Sequence, residues 1–561
     1  MLQLLTSAPP LTLALWSISI GALVALAVWI RNLYKDPFPF IDGPPTTNLI
    51  FGHFPEILRE QVGIVYDRWH KQYGPIYKVR GFMGSTRLVI NDPVAARHIM
   101  VTRGYSYGKH EGVRVVFRWI EGSIYGMGSL EGDDHKKVRK MMLHTFTPGH
   151  LRTLHPTIRE YADQYVQVLS EEREIAEHNM LKYMKHVALD IIGAASYGYA
   201  TGVLRKQDTP LAVALETIVS QVSNDTIRVP LPTALRAYLP RLEWYLLADT
   251  RLFDRNVKHL RKVAYEVLYM RKEALGVLTD EDRIHIKNAG LRIDRERVGN
   301  FAMGIDDVLS MMLQDAAMLD PDDPDKLDDE WILAQIMVLF WAGHESTATS
   351  MTWLIYEMCR NPDVQSRLRS ELLAVGLDCD VRTLLDLPYL NGVVHESLRL
   401  HSTSGQSIRH AFADDVIPLS KPVNGMHAIP IREGQEICFN HPSMNCREDV
   451  WGKDAEQFKP ERWINLPDAA KDDTMPGWEG VANFGSGNRQ CVGAGFAVME
   501  IKEVLLRLLT HFEFTLPDDP DERDIEGWNR MLTKPFVKKE GKHAMPRLPV
   551  KIIPLRAPSG S

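Results

Sequence analysis

The chain has 561 residues, with 65 Lys and Arg against 72 Asp and Glu, a formal charge of −7, and 45% hydrophobic residues. That is enough apolar material for a packed interior and excludes a disordered or fibrous protein, while length alone suggests about three domains. With no basic domain or Lys/Arg run to neutralise phosphates, nucleic acid is excluded as a partner.

The first element in chain order is the uncharged run Leu11 to Ile30. A helix of that length spans a bilayer core of ~30 Å, and Trp16 and Trp29 lie toward its ends. No Lys or Arg precedes it, which disfavours a cleaved signal peptide, and Arg31 and Lys35 follow it, which places the remaining chain in the cytosol. Pro37, Pro39, Pro44 and Pro45 then forbid a helix. Residues 36–46 read as a stiff spacer between an anchor at 1–35 and a globule at 47–561.

The globule is helix-rich with islands of strand pattern at Ile76 to Val79, Arg87 to Ile90 and Gln435 to Phe439. Its most distinctive helix begins at Asp328, Asp329 and Glu330, acids that suit a helix N-terminus, and has Gln335 as its one polar residue between Trp331 and Ala342. A helix apolar on every side is buried or membrane-spanning, and the polar run Gly343 to Thr347 at its centre argues for burial. Those polar residues either hydrogen-bond within the core or line a site.

The five cysteines, Cys359, Cys379, Cys438, Cys446 and Cys491, form no Cys-x-x-Cys pair. An odd, low count argues against a disulfide scaffold or structural zinc site and for a reducing compartment. His395 and His401 are six apart, whereas the helical zinc motif needs a spacing of four. Gly493-x-Gly495 has Val498 where a dinucleotide loop needs a third small residue, and Gly485-Ser486-Gly487 lacks the flanks of a nucleophile elbow. No flavin, nicotinamide or ATP domain is evident.

The run from Phe484 through Gly487, Arg489, Cys491 and Gly493 is a glycine-rich turn that delivers one cysteine to the start of an amphipathic helix through Val504, Leu505 and Leu508. Backbone N–H groups and the helix dipole there would stabilise a thiolate, and the glycines would admit a bulky planar group. A core cysteine beside a glycine loop is the plainer alternative.

The pattern Phe484-x-x-Gly487-x-Arg489-x-Cys491-x-Gly493 resembles the haem-ligand loop of the cytochrome P450 family. Glu396-x-x-Arg399 resembles that family's Glu-x-x-Arg pair, and Pro460-Glu461-Arg462 the segment whose arginine completes a structural triad. Ala342 to Thr347 resembles its oxygen-activation segment, and His135-x-x-x-Arg139 falls where Trp-x-x-x-Arg is usual. The resemblance covers essentially the whole chain.

It implies a mainly α fold with small β-sheets, after one N-terminal transmembrane helix, and a haem b cofactor (iron protoporphyrin IX). Cys491 is then the axial iron ligand, with Phe484 and Gly493 shaping the loop. Arg489, His135, Arg139 and Arg409 are partners for the haem propionates. Glu345 with Ser346 or Thr347 would relay protons; serine in the usual threonine position leaves the donor less fixed. The implied activity is insertion of one oxygen atom from O2 into a mainly apolar small molecule. Electrons would come from an NADPH-cytochrome P450 reductase, with cytochrome b5 as an auxiliary donor, at the endoplasmic reticulum membrane. His135 and Asp414 to Leu419 resemble filamentous-fungal members, many of which decorate terpenoids and other secondary metabolites. His401 to Ile408 stand where the family usually has a proline-rich, aliphatic stretch bordering the substrate, which implies either a substrate with a hydrogen-bonding group or solvent-facing side chains. The competing readings are a haem-thiolate isomerase or dehydratase that does not use O2, and a non-catalytic haem-binding protein.

Overall fold

Apolar alternation in the early islands produces strands β1 (Ile76–Arg80) and β2 (Thr86–Ile90), paired antiparallel with Ile76 opposite Ile90. The computed structural model describes residues 36–555 except 47, 173–176, 206–208, 229–249, 294–305, 321 and 473–475, together with isolated positions between 19 and 28. Three further strands, β3 (Tyr107–Gly108), β4 (Gln406–Ala411) and β5 (Glu436–Asn440), complete a five-stranded sheet in the order β1-β2-β5-β4-β3. β5 realises the third sequence island. In the β3–β4 register Gly108 lies opposite His410, which brings Lys109 to the neighbourhood of Arg409.

The remainder is mainly helical. Seven helices position the site: α1 (Glu111–Glu121), α2 (Gly132–Thr145), α3 (Pro148–Glu171), α4 (Met180–Tyr197), α5 (Asp329–Arg360), α6 (Pro388–Leu400) and α7 (Ala494–His511). α5 is the central helix expected from its apolar run. Asp328 caps it by accepting from the backbone N–H groups of Glu330 (3.0 Å) and Trp331 (3.1 Å), an arrangement worth about 1 kcal/mol. One apolar cluster draws side chains from Ile120 to Val550 through α3 to α7. At the α4–α5 crossing Gly343 is required by close approach: a Cβ there would lie 2.7 Å from Ile192 Cδ1.

The proline-rich stretch differs from the expected spacer. Phe38 and Ile41 are fully buried in a second apolar cluster beneath the sheet, with Leu88, Ile437 and Phe439. Lys78 fastens the segment by pairing with Asp36 and donating to the Phe38 carbonyl (2.8 Å). Proline forbade a helix there, as expected, but the Phe and Ile between the prolines have apolar area to bury and take the chain into the globule.

The expected anchor, Leu11 to Ile30, lies largely outside the described residues. Among the described residues no helix is long and apolar enough to cross a membrane. All five cysteines are free. A β-hairpin, β6 (Ile525–Arg530) and β7 (Leu532–Val537), was not foreseen; its tight turn holds Met531 at φ 64°.

Candidate active site around Cys491

The cysteine loop is held by backbone geometry. Gly485 and Gly487 take φ of 65° and 62°, a region that disfavours side chains, and a Cβ on Gly487 would sit 2.1 Å from the Met100 carbonyl oxygen. The Cys491 N–H closes the loop on the Phe484 carbonyl at 2.7 Å. Helix α7 starts three residues later. Cys491 is accessible to a water-sized probe, yet burial raises its thiol pKa, opposed by the Gly493 N–H and by Arg139. A Cβ built on Gly493 meets no atom within 4 Å, so the chain leaves open space at this position, two residues after the cysteine. Phe484 packs edge-on against Trp478 (5.2 Å), which stacks on His395 of α6 (4.6 Å), joining the loop to that helix.

The four expected cationic partners converge on one region. Arg489 pairs with Glu131 and donates to the Gly104 carbonyl, with its guanidinium over the Tyr105 ring. Tyr105 also bonds His135 Nδ1 at 3.1 Å. Burial, Lys109 and Arg489 push the His135 pKa down to about 3, so the imidazole is neutral. Arg139 donates to the Gln490 carbonyl at 2.7 Å. Arg409, whose guanidinium donates to the Ile408 carbonyl (3.2 Å), is pushed down to about 10 by burial and by Arg489. Sequence reasoning missed Tyr105, Lys109 and Glu131, which belong to the same group. No motif marks them, because they meet Arg489 only through the fold.

Along α5, Ala342, Ser346 and Ser350 recur every four residues and are only half-buried, while most neighbouring turns are sealed. This stripe is the least buried face of the middle of the helix. Ser346 lies on it, with its hydroxyl donated to the Ala342 carbonyl at 2.7 Å. Thr349, Ser350 and Thr352 likewise bond four residues back; Thr347 is buried, and its hydroxyl is not spent in that way. Glu345 points elsewhere. Its carboxylate lies between Lys185 Nζ of α4 (2.9 Å) and Lys534 Nζ of β7 (2.8 Å), beside a cavity of about 60 Å³ lined also by His186, Glu216 and His344. Burial opposes ionisation there, but the two lysines and His344 outweigh it and hold the carboxyl below the usual range. The acid and the two hydroxyls share a helix segment without bonding one another.

Glu396, Arg399 and Arg462 come together in the core. Arg399 donates two bonds of 2.8 Å to Glu396, Arg462 Nε donates one of 2.9 Å, and Trp463 Nε1 and the Lys459 N–H each add one of 2.9 Å. Glu396 and Arg399 are completely buried. The histidines of the rejected zinc pattern have separate partners: His395 pairs with Glu479 and His401 with Glu357.

A family model described as "Cytochrome P450" matches residues 43–541. The chain belongs to the cytochrome P450 family. Among curated relatives it is 29% identical to cytochrome P450 monooxygenase 205 of Postia placenta, over 93% of this chain and 95% of that protein. It is 30% identical to cytochrome P450 monooxygenase claW of Ampulloclitocybe clavipes, over 91% and 92%. As a P450 the chain is a monooxygenase, and the family implies a haem iron. The site fits that group: it offers an accessible cysteine just before a helix start, open space at Gly493, and the buried guanidiniums of Arg409 and Arg489. In this P450 several polar groups of the stretch after α6 are tied to protein partners. His401 stacks on Trp353 (4.5 Å), Ser402 donates to the Ser404 carbonyl (2.8 Å), and Ser407 bonds His441 (2.9 Å).

Proposed function

We propose that this P450 holds haem b on Cys491 and inserts one oxygen atom from O2 into a mainly apolar small molecule of fungal secondary metabolism, with terpenoids as the leading class. Electrons come from an NADPH-cytochrome P450 reductase, with cytochrome b5 as auxiliary donor, and Leu11 to Ile30 tethers the enzyme to the endoplasmic reticulum, catalytic domain in the cytosol. The observation that carries the reading is the accessible Cys491 thiol combined with the half-open stripe Ala342, Ser346 and Ser350 on an otherwise sealed helix. An apolar substrate is favoured because Phe117 and Trp341 pack edge-on (5.8 Å) as half-buried side chains, while Ser402 and Ser407 are tied up. The curated relatives named above come from fungi, which supports the source of the chemistry.

When bound, a thiolate-ligated haem supplies activation of O2 for transfer to carbon. The chain keeps the thiolate charge stable with the Gly493 N–H and Arg139, and holds the cofactor's carboxylates with Arg409 and Arg489. Ser346 presents a hydroxyl on the open face and passes a proton inward. Glu345 carries no proton of its own at neutral pH, so supply through it requires Lys185 or Lys534 to hand one over.

The test is the optical spectrum of the reduced carbon monoxide complex of the full chain and of Cys491→Ala, followed by O2 uptake with a reductase. A thiolate-type spectrum lost in Cys491→Ala, and reductase-dependent uptake with incorporation of oxygen into product, are expected. An unchanged spectrum in the variant overturns the ligand assignment, and turnover without O2 overturns the oxygenase reading in favour of an isomerase or dehydratase.

A further inference from the structure

His395, for which the failed zinc spacing leaves no role, sits at the centre of an aromatic column. It is 7% exposed, and its ring lies between Trp478 (4.6 Å, 13° between the planes) and Trp463 (4.8 Å, tilted). Trp463 is pinned to the buried triad by its bond to Glu396, and Trp478 meets Phe484 edge-on. Both ring nitrogens of His395 face oxygens that accept: Nδ1 the Asn391 carbonyl at 2.7 Å, Nε2 the Glu479 carboxylate. A ring offered two acceptors satisfies both only as the imidazolium, and a cation between two indole faces is favourably placed.

Glu479 reaches this contact through an unfavourable backbone. The bridge between Trp478 and Val481 closes a two-residue turn, with Glu479 at φ 47° and Gly480 at φ 82°. Asn, Asp or Gly is the usual occupant of the first position, because other side chains are disfavoured at positive φ. The Glu479 side chain is 61% exposed, so burial does not hold it there. The His395 bond does, and it keeps the carboxyl below the usual range, with a weaker pull from Lys502 of α7, which itself bonds the Asn391 side chain. The same turn runs on into the cysteine loop, where the Phe484 carbonyl accepts the Cys491 N–H at 2.7 Å.

We propose that His395 is a positioning residue for the cysteine loop: held as a cation by Glu479, it fixes Trp478 against Phe484, whose carbonyl in turn holds the Cys491 N–H. The proposal rests on the haem reading above. A purely structural histidine would stabilise the fold as a whole, whereas a positioning one protects the thiolate state of the loaded site in particular. Glu479 separates the two cases, because glycine in its place relieves the backbone strain while removing the carboxylate.

The test uses the haem-loaded full chain. It reads the rate at which the thiolate-type band of the reduced carbon monoxide complex converts to the non-thiolate type in mild denaturant, and the denaturation midpoint by circular dichroism. Glu479→Gly is expected to keep or raise the midpoint and yet to speed conversion about tenfold, the scale of one hydrogen bond to a charged group. Glu479→Gln, with the strain retained, speeds conversion equally. His395→Phe keeps a ring between the tryptophans and converts at the same faster rate, and combining it with Glu479→Gln gives no further increase, since one bond is lost in every case. An unchanged rate in Glu479→Gly, or single effects that multiply in the double variant, overturn the proposal. If His395→Phe takes up no haem, Glu479→Gly decides alone: faster conversion at an undiminished midpoint supports the proposal, and an unchanged rate, or one that rises only as the midpoint falls, overturns it. An unmodified chain that takes up no haem is a different result, the failure of the haem reading itself.

Discussion

Arg399 and Glu396 stand one turn apart on α6 and share two hydrogen bonds of 2.8 Å with neither side chain exposed. Arg462, from a segment far along the chain, adds a third guanidinium bond to the same carboxylate. Removing Arg462 or Arg399 leaves buried charge with too few partners, so either alanine variant is expected to lose about 3 to 5 kcal/mol and much of its haem. Arg399→Lys does not rescue, because an ammonium cannot make the paired bonds. Chemical denaturation of each variant reads this, and unchanged midpoints would sink it.

The Glu345 clamp gives an asymmetric prediction. Glu345→Gln strands the buried Lys534 ammonium and leaves Lys185 only Glu216 at 3.7 Å, a cost of about 3 to 5 kcal/mol, whereas Lys534→Met leaves Lys185 still paired with the acid and costs less. Because the folded pKa of Glu345 is lowered, its contribution is complete above the ordinary value of 4.5 and is lost as pH falls below it. Stability of the unmodified chain should therefore decline on that acid limb, and Glu345→Gln should flatten the decline. A pH series of denaturation midpoints in which both chains fall in parallel would contradict the assignment.

Gly343 and Ile192 form a testable contact. Gly343→Ala places a methyl 2.7 Å from the Ile192 side chain at the α4–α5 crossing, an overpacking cost of about 1 to 3 kcal/mol. Ile192→Ala alone opens a cavity, and combined with Gly343→Ala it should restore part of the loss. A double-mutant cycle with no coupling would show that the crossing does not depend on this contact.

Gly487→Ala combines two penalties, a φ of 62° and a clash with the Met100 carbonyl, which is backbone and cannot rotate away. The variant is expected to retain helical circular dichroism while losing most haem incorporation, since the damage is confined to the cysteine loop. Equal haem content in the two proteins would refute this. Gly493→Ala, with no atom within 4 Å, should be tolerated by the protein itself and report on the open space at that position.

What the linear chain determined is local. Apolar periodicity found β1, β2 and α5, the i, i+3 spacing of Glu396 and Arg399 placed both on one face of α6, and the glycines around Cys491 announced a loop that turns tightly at a helix start. Each depends on backbone preferences or spacing within a few residues, and such preferences are written in order along the sequence. What only the tertiary structure decided is which charges meet. Lys534 and Lys185 reach Glu345 from a hairpin and from another helix, and Glu131 reaches Arg489 across the fold. Phe38 and Ile41, between prolines that read as a spacer, are drawn into the core, and Ser402 and Ser407, polar in sequence, find partners inside the protein. Electrostatic and apolar contacts act through space rather than along the chain, so nothing in the spacing of these residues indicates their partners.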